Sequence, residues 1–253
     1  MGDKHLMRSL IWLLLLIILS PIKSQPITYY FPLITKTTNA GIAWYEQANN
    51  RHELVGAYYY YNEASCLHLD NPQAIPIVRP INAVDCNLPI DYDDYVLVGN
   101  EGEGQDNLTP EQMSEFILWF ADNYPSAKLI CLNSYDIDYM LDVIALLPED
   151  TCYGYGIHIG IWSDLDNGLS AYLDQLCTNC IIWITELSWP NSSPIAYNAM
   201  YQLVYEGIAD YRVHRIFGYT TTDGIPSSLN FLNEERELNP NGQAFYDALQ
   251  AYP

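Results

Sequence analysis

The chain has 253 residues, 49% of them hydrophobic and 13% aromatic, with a formal charge of −21. Such a composition buries a substantial core and excludes an intrinsically disordered chain. The charge excludes nucleic acid and anionic lipid as ready partners, while a neutral polymer such as a polysaccharide meets no repulsion.

Residues 1–24 read as a secretory signal peptide. Lys4 and Arg8 precede the apolar run Leu10–Leu19, which Ser20, Pro21 and a polar stretch to Ser24 follow. A run of ten residues is short for a membrane span of about 20. A secreted, extracellular protein is therefore expected, with residues 25–253 as one domain and no integral membrane segment. Six cysteines, Cys66, Cys86, Cys131, Cys152, Cys177 and Cys180, suit disulfides in that compartment. Pairing of sequence neighbours is the simplest of many schemes. Cys177-x-x-Cys180 could instead suggest a redox or zinc motif, but no second such pair or histidine cluster accompanies it. Asn107-Leu-Thr and Asn191-Ser-Ser are glycosylation sequons.

After residue 40 short apolar runs alternate with helical patterns. Eight strands are predicted: Ile42–Tyr45, Leu54–Tyr61, Ile75–Pro80, Tyr95–Gly99, Lys128–Leu132, Tyr155–Ile161, Ile181–Thr185 and Arg215–Tyr219. Several are almost continuously apolar, as parallel strands buried on both faces are. Thr109-Pro110-Glu111-Gln112 is a capping box opening an amphipathic helix with Met113, Phe116, Ile117 and Phe120 on one face. Ile137–Ile144 and Leu169–Leu176 repeat that spacing, and Ser193-Pro194 starts another helix. The helices after the first three strands are weak in sequence. This alternation predicts an α/β fold, a single (β/α)8 TIM barrel. A doubly wound sheet is disfavoured because Glu46-Gln47-Ala48-Asn49 after the first strand is no phosphate-binding loop.

In such a barrel the chemistry sits at the C-terminal strand ends. The fourth strand ends Gly99-Asn100-Glu101-Gly102-Glu103, and the seventh ends Trp183-Ile184-Thr185-Glu186. Two carboxylates facing across a cleft are what glycosidic cleavage requires. The dipeptide Asn-Glu alone is weak, since it recurs at 62–63 and 233–234. The pairing with Thr-Glu186 carries the signal, against a bland reading of both as solvated loop acids.

Asn100-Glu101 with Trp-Ile-Thr-Glu186 resembles glycoside hydrolase clan A. Within it the chain is similar to glycoside hydrolase family 128, compact secreted enzymes acting on β-1,3-glucan. Tyr59-Tyr60-Tyr61-Asn62, Gly156-Ile157-His158 and the ending Leu238, Pro240, Gly242-Gln243-Ala244 share the likeness. It departs where the family's Asn-Glu-Pro-Asp reads Asn100-Glu101-Gly102-Glu103, and where Gly160 and Glu63 replace aromatic residues of the cleft.

The resemblance implies a retaining hydrolase with Glu101 as acid/base and Glu186 as nucleophile. Glu101 should then be protonated at rest, its pKa raised by the neighbouring Glu186. Asn100 would bond the sugar 2-OH. His158, Tyr61 and Tyr219 are candidate donors to nucleophile or substrate, and Trp162 and Trp189 candidate stacking platforms. Arg79 would orient Glu186 or a sugar hydroxyl, or else bridge to an acidic loop. Asn133 would face the mouth, and Glu103 is a rival to Glu101, expected to be solvated or to touch substrate. Trp44 and Trp183 are expected in the core. No cofactor or metal is expected, since His52, His68 and His214 are scattered; the partner is a polysaccharide or oligosaccharide, and the protein a monomer. A glycan-binding barrel without activity and a metal-dependent hydrolase are the competing classes.

Overall fold

Apolar runs separated by amphipathic helices produce a parallel sheet backed by helices in a computed structural model, which describes residues 40–44, 59–62, 74–80, 88–160, 163, 165–188, 194–220, 231 and 238–251. All of these lie in one unit, residues 34–253. The strands are β1 (Ala40–Trp44), β2 (Tyr59–Asn62), β3 (Ala74–Ile75), β4 (Ile77–Val78), β5 (Tyr95–Val98), β6 (Lys128–Ser134), β7 (Gly154–Ile159), β8 (Ile182–Leu187) and β9 (Val213–Thr220). The helices are α1 (Pro110–Asn123), α2 (Ile137–Ile144), α3 (Leu169–Leu176), α4 (Pro194–Ala209) and α5 (Pro240–Ala251).

The strands form one curled sheet in the order β3-β2-β1-β9-β8-β7-β6-β5-β4, and every pair is parallel. Its two ends are consecutive in the chain: Pro76 alone separates β3 from β4. A proline has no N–H to give to a ladder, so the predicted third strand reads as two short pieces. The Pro76 carbonyl still accepts from Leu97 N at 2.9 Å.

Alternation along the strands divides the apolar residues into two cores. Ile75, Ile77, Leu97, Ile130, Trp183 and Phe217 cluster together, with Tyr95 and Tyr219 packed against them. Their neighbours in sequence, among them Val96, Val98, Leu129, Cys131, Ile182, Ile184 and Ile216, pack with the helices in the larger core. The strands are apolar throughout because each must fill both cores.

The helices form where the 3.6-residue spacing predicts. Met113, Ile117 and Phe120 of α1 are buried, as are Met140 and Val143 of α2, and Leu169, Leu173 and Leu176 of α3. The capping box holds: Thr109 N donates to Gln112 Oε1 at 2.9 Å and Gln112 N to Thr109 Oγ1 at 3.3 Å. Of the segments after the first three predicted strands, residues 45–58, 63–73 and 81–87 lie outside the described residues, and 88–94 are loop. Two disulfides match the simplest pairing, Cys131–Cys152 and Cys177–Cys180; Cys66 and Cys86 lie outside the described residues.

Gly218 of β9 lies under the fully buried ring of Phe231, and a Cβ there would sit 1.9 Å from that ring. Gly218→Ala should therefore destabilise the fold by about 1–3 kcal/mol through overpacking, read as a lower urea midpoint with an unchanged slope.

Candidate active site

The C-terminal strand ends are irregular. The ladder slips between Leu132 and Ser134 in β6, between Ile157 and His158 in β7, and between Ile184 and Leu187 in β8. Such bulges re-aim side chains where pairing stops. Backbone conformation adds to this: Gly99 (φ 86), Glu101 (φ 45), Leu132 (φ 82) and Asn133 (φ 49) occupy the left-handed region. Three of these four are not glycine, so the two adjoining strand ends hold local strain.

Those bends bring three titratable groups together. His158 and Glu186 are register partners on adjacent strands. The His158 ring is fully buried, with Nδ1 3.0 Å from Glu101 Oε1 and Nε2 3.6 Å from Glu186 Oε1. One polar atom from each of the three lies within 4.8 Å of the others. Glu101 Oε2 accepts a hydrogen bond from Gln105 Nε2 at 2.7 Å. The Glu101 carbonyl accepts from Gly104 N and Gln105 N at 3.0 and 2.8 Å, closing the turn that carries Gln105 back to the carboxylate.

The electrostatics of Glu101 reverse the expectation. Burial alone would raise its pKa. The His158 hydrogen bond and charge, the Gln105 hydrogen bond and the Arg79 charge together outweigh it and hold the carboxyl below its ordinary value. Glu101 is thus favoured as a carboxylate at rest, not protonated. The influence of His158, 57 positions along the chain, has no sequence signature.

Glu103 behaves oppositely. Its carboxyl turns inward rather than into solvent, and Ser134 Oγ donates to Oε1. Oε2 is buried without a partner among the described residues. Burial raises its pKa, and the nearby charge of Glu101 adds to the shift. Gly102, where the resemblance would place proline, leaves room for Met113 and Tyr139: a Cβ would meet their side chains at 2.4 and 2.7 Å.

The remaining predicted residues divide. Asn100 is fully buried at the site, and neither end of its amide has a partner among the described residues. Asn133 is engaged with the neighbouring backbone. Its Nδ2 donates to Gly99 O at 2.8 Å, and its carbonyl accepts from Glu101 N at 3.0 Å, so it ties β6 to the Glu101 turn. The Asn133 amide also lies against Gly156, where a Cβ would approach Oδ1 to 2.0 Å. Arg79 bridges to the acidic loop, with Nη2 donating to Asp106 Oδ1, while its charge still reaches Glu101. Tyr219 is half-buried against the inner core cluster. Trp183 is buried in that cluster, as expected. Trp162 and Trp189 lie outside the described residues, and of Tyr61 and Trp44 only the strand backbone is described. Sequence reasoning missed Gln105, Ser134 and Asp106. The Glu-x-x-x-Gln spacing in a Gly-rich turn was the one available signal, and only for Gln105.

No family model and no characterised protein sequence matches the chain. Solved structures do. An exo-β-1,3-glucanase of family GH128, subgroup V, from Cryptococcus neoformans superposes with a TM-score of 0.64 at 14% identity, covering 83% of this chain and 99% of its own. An endo-β-1,3-glucanase of subgroup I from Amycolatopsis mediterranei, in complex with laminaritriose, gives 0.64 at 15%, covering 83% and 99%. An oligosaccharide-binding protein of subgroup VII from Trichoderma gamsii gives 0.62 at 16%, covering 87% and 97%. The likeness expected from Asn100-Glu101 and Thr185-Glu186 is borne out as a shared fold.

Proposed function

With the GH128 fold as premise, we propose that the chain is a secreted retaining glycoside hydrolase acting on β-1,3-glucan, with residues 25–253 folded as a (β/α)8 barrel. The observation that carries this reading is the approach of Glu101 and Glu186 around His158. Carboxyl groups about 5 Å apart suit double displacement, whereas inversion needs about 6.5–9.5 Å to admit a water between them. Ring closure is supported by the strand split at Pro76: β3 pairs with β2 and β4 with β5, as one strand completing a ring of eight would.

In this mechanism Glu186 attacks the anomeric carbon while Glu101 protonates the departing oxygen. Glu101 then deprotonates the water that releases the sugar. A carboxylate at rest must first gain its proton, and the 3.0 Å contact to His158 Nδ1 is a place where that proton can pass. Asn100, with its amide unengaged, supplies donor and acceptor for a sugar hydroxyl. The disulfides suit an oxidising compartment, and no helix among the described residues is long and apolar enough to cross a membrane.

A glycan-binding protein is the second reading. It is favoured by the lowered pKa of Glu101, which leaves less of the carboxyl in the protonated form that a general acid needs, and by the binding protein among the structural neighbours. Incubation with laminarin, beside β-1,4-glucan, xylan and mannan, separates the two. Hydrolysis of laminarin with the β-anomer appearing first by proton NMR is the expected outcome, unaffected by EDTA. An α-anomer would refute retention, and binding without any new reducing ends would favour the second reading.

A further inference from the structure

A second cavity lies at the opposite, N-terminal ends of the strands. It has a volume of about 320 Å³ and is lined by Tyr95, Trp183, Asp210, Tyr211, His214 and Arg215, among others. Tyr95 opens β5, Trp183 is the second residue of β8, and His214 and Arg215 are the second and third of β9, whereas His158 and Glu186 stand near the other ends of their strands and Glu101 just beyond the other end of β5. The cavity is therefore separate from the candidate active site.

Its walls are fixed. The Arg215 guanidinium carbon lies 4.7 Å from the Tyr95 ring centre and 4.5 Å from that of Trp183, so the cation packs against both rings, which meet each other at 4.9 Å. The acid in the wall is already occupied. Asp210 is paired to Arg212 at 2.7 Å, and Arg212 also reaches Asp174 at 2.6 Å. Trp183 Nε1–H has no partner among the described residues.

Tyr211 is the feature that calls for a ligand. Its side chain is 74% exposed, yet it is held at two points. The phenol donates to Thr178 O at 2.6 Å, and the Arg212 guanidinium lies 5.9 Å from its ring centre. An exposed ring fixed in this way loses little freedom on binding. A pinned aromatic beside arginine and histidine N–H groups matches a pyranose, which offers an apolar C–H face and a rim of hydroxyls. At about 300 Å³ and above, cavities hold small ligands.

We propose that this cavity binds a sugar unit of a β-glucan chain, stacked on Tyr211, as a second carbohydrate site remote from the catalytic groups. The choice of glucan rests on the function proposed above. The test is electrophoresis of the full chain through native gels containing laminarin, comparing wild type, Tyr211→Ala and Tyr211→Trp in a Glu186→Gln background. Tyr211→Ala should weaken the retardation by roughly 2- to 10-fold, and Tyr211→Trp should keep it. In the active background, kcat/KM on a short soluble laminari-oligosaccharide should be the same for all three. Retardation that ignores residue 211, or no retardation of wild type, overturns the site. Tyr211-dependent retardation of a protein that cleaves no glycan upholds this site and removes the hydrolase reading instead.

Discussion

Replacing Glu186 with Gln should abolish laminarin hydrolysis, and replacing Glu101 with Gln should lower kcat by about 10²–10⁴. The two losses differ in kind. Glu186→Gln removes the atom that bonds to the sugar, so no change of leaving group restores the first step. Glu101→Gln removes only a proton donor, so a substrate with an acidic phenol as leaving group should recover the first step while the second stays slow. A burst of phenol followed by slow turnover would be the signature. Equal loss with natural and activated substrates in Glu101→Gln would sink its assignment as the acid. Gly156→Ala belongs with this pair, because the added methyl meets the Asn133 amide that braces the Glu101 turn. A fall in kcat larger than the change in stability is expected there.

His158→Gln should have the second-largest effect, and its pH profile is more informative than its rate. In the intact site the imidazole lowers the pKa of Glu101, to which Gln105 and Arg79 add. Without the ring, burial is the strongest remaining influence, and it favours the protonated acid. The pKa of Glu101 should rise, so the acid stays protonated to higher pH. The alkaline limb of kcat/KM should then move to higher pH while the maximum rate falls. The imidazole meets Glu101 and Glu186, and Glu103 is within electrostatic reach. An alkaline limb that stays in place would mean that another acid sets it, and Glu103, whose pKa lies on the raised side, would be the first to test.

The strands and the two carboxylates at their ends were legible because both depend on local pattern. Apolar runs of strand length mark β5 to β9, and a carboxylate directly after such a run has few places to be except the sheet's end. The capping box at Thr109 was legible for the same reason, its partners being three residues apart. What escaped depends on contacts between distant segments. Asn133 stands near the end of β6 and Asn100 just after β5, yet the amide of one braces the neighbouring backbone and that of the other is unengaged. Only the bulge at Leu132–Ser134 decides that, and bulges leave no mark in composition. The protonation of Glu101 was misjudged because Glu186 was weighed as its neighbour and the imidazole between them was not.

The left-handed backbone at Glu101, Leu132 and Asn133 has a consequence for anyone trying to harden this protein against heat. Strain at three adjoining positions invites relief, and a search for higher melting temperature would find substitutions there first. Each relaxation would let the Glu101 turn drift from the imidazole that it meets at 3.0 Å. Thermal resistance won at this end of the strands should come at the expense of turnover. Substitutions on solvent-facing positions of α1 and α4 carry no such penalty.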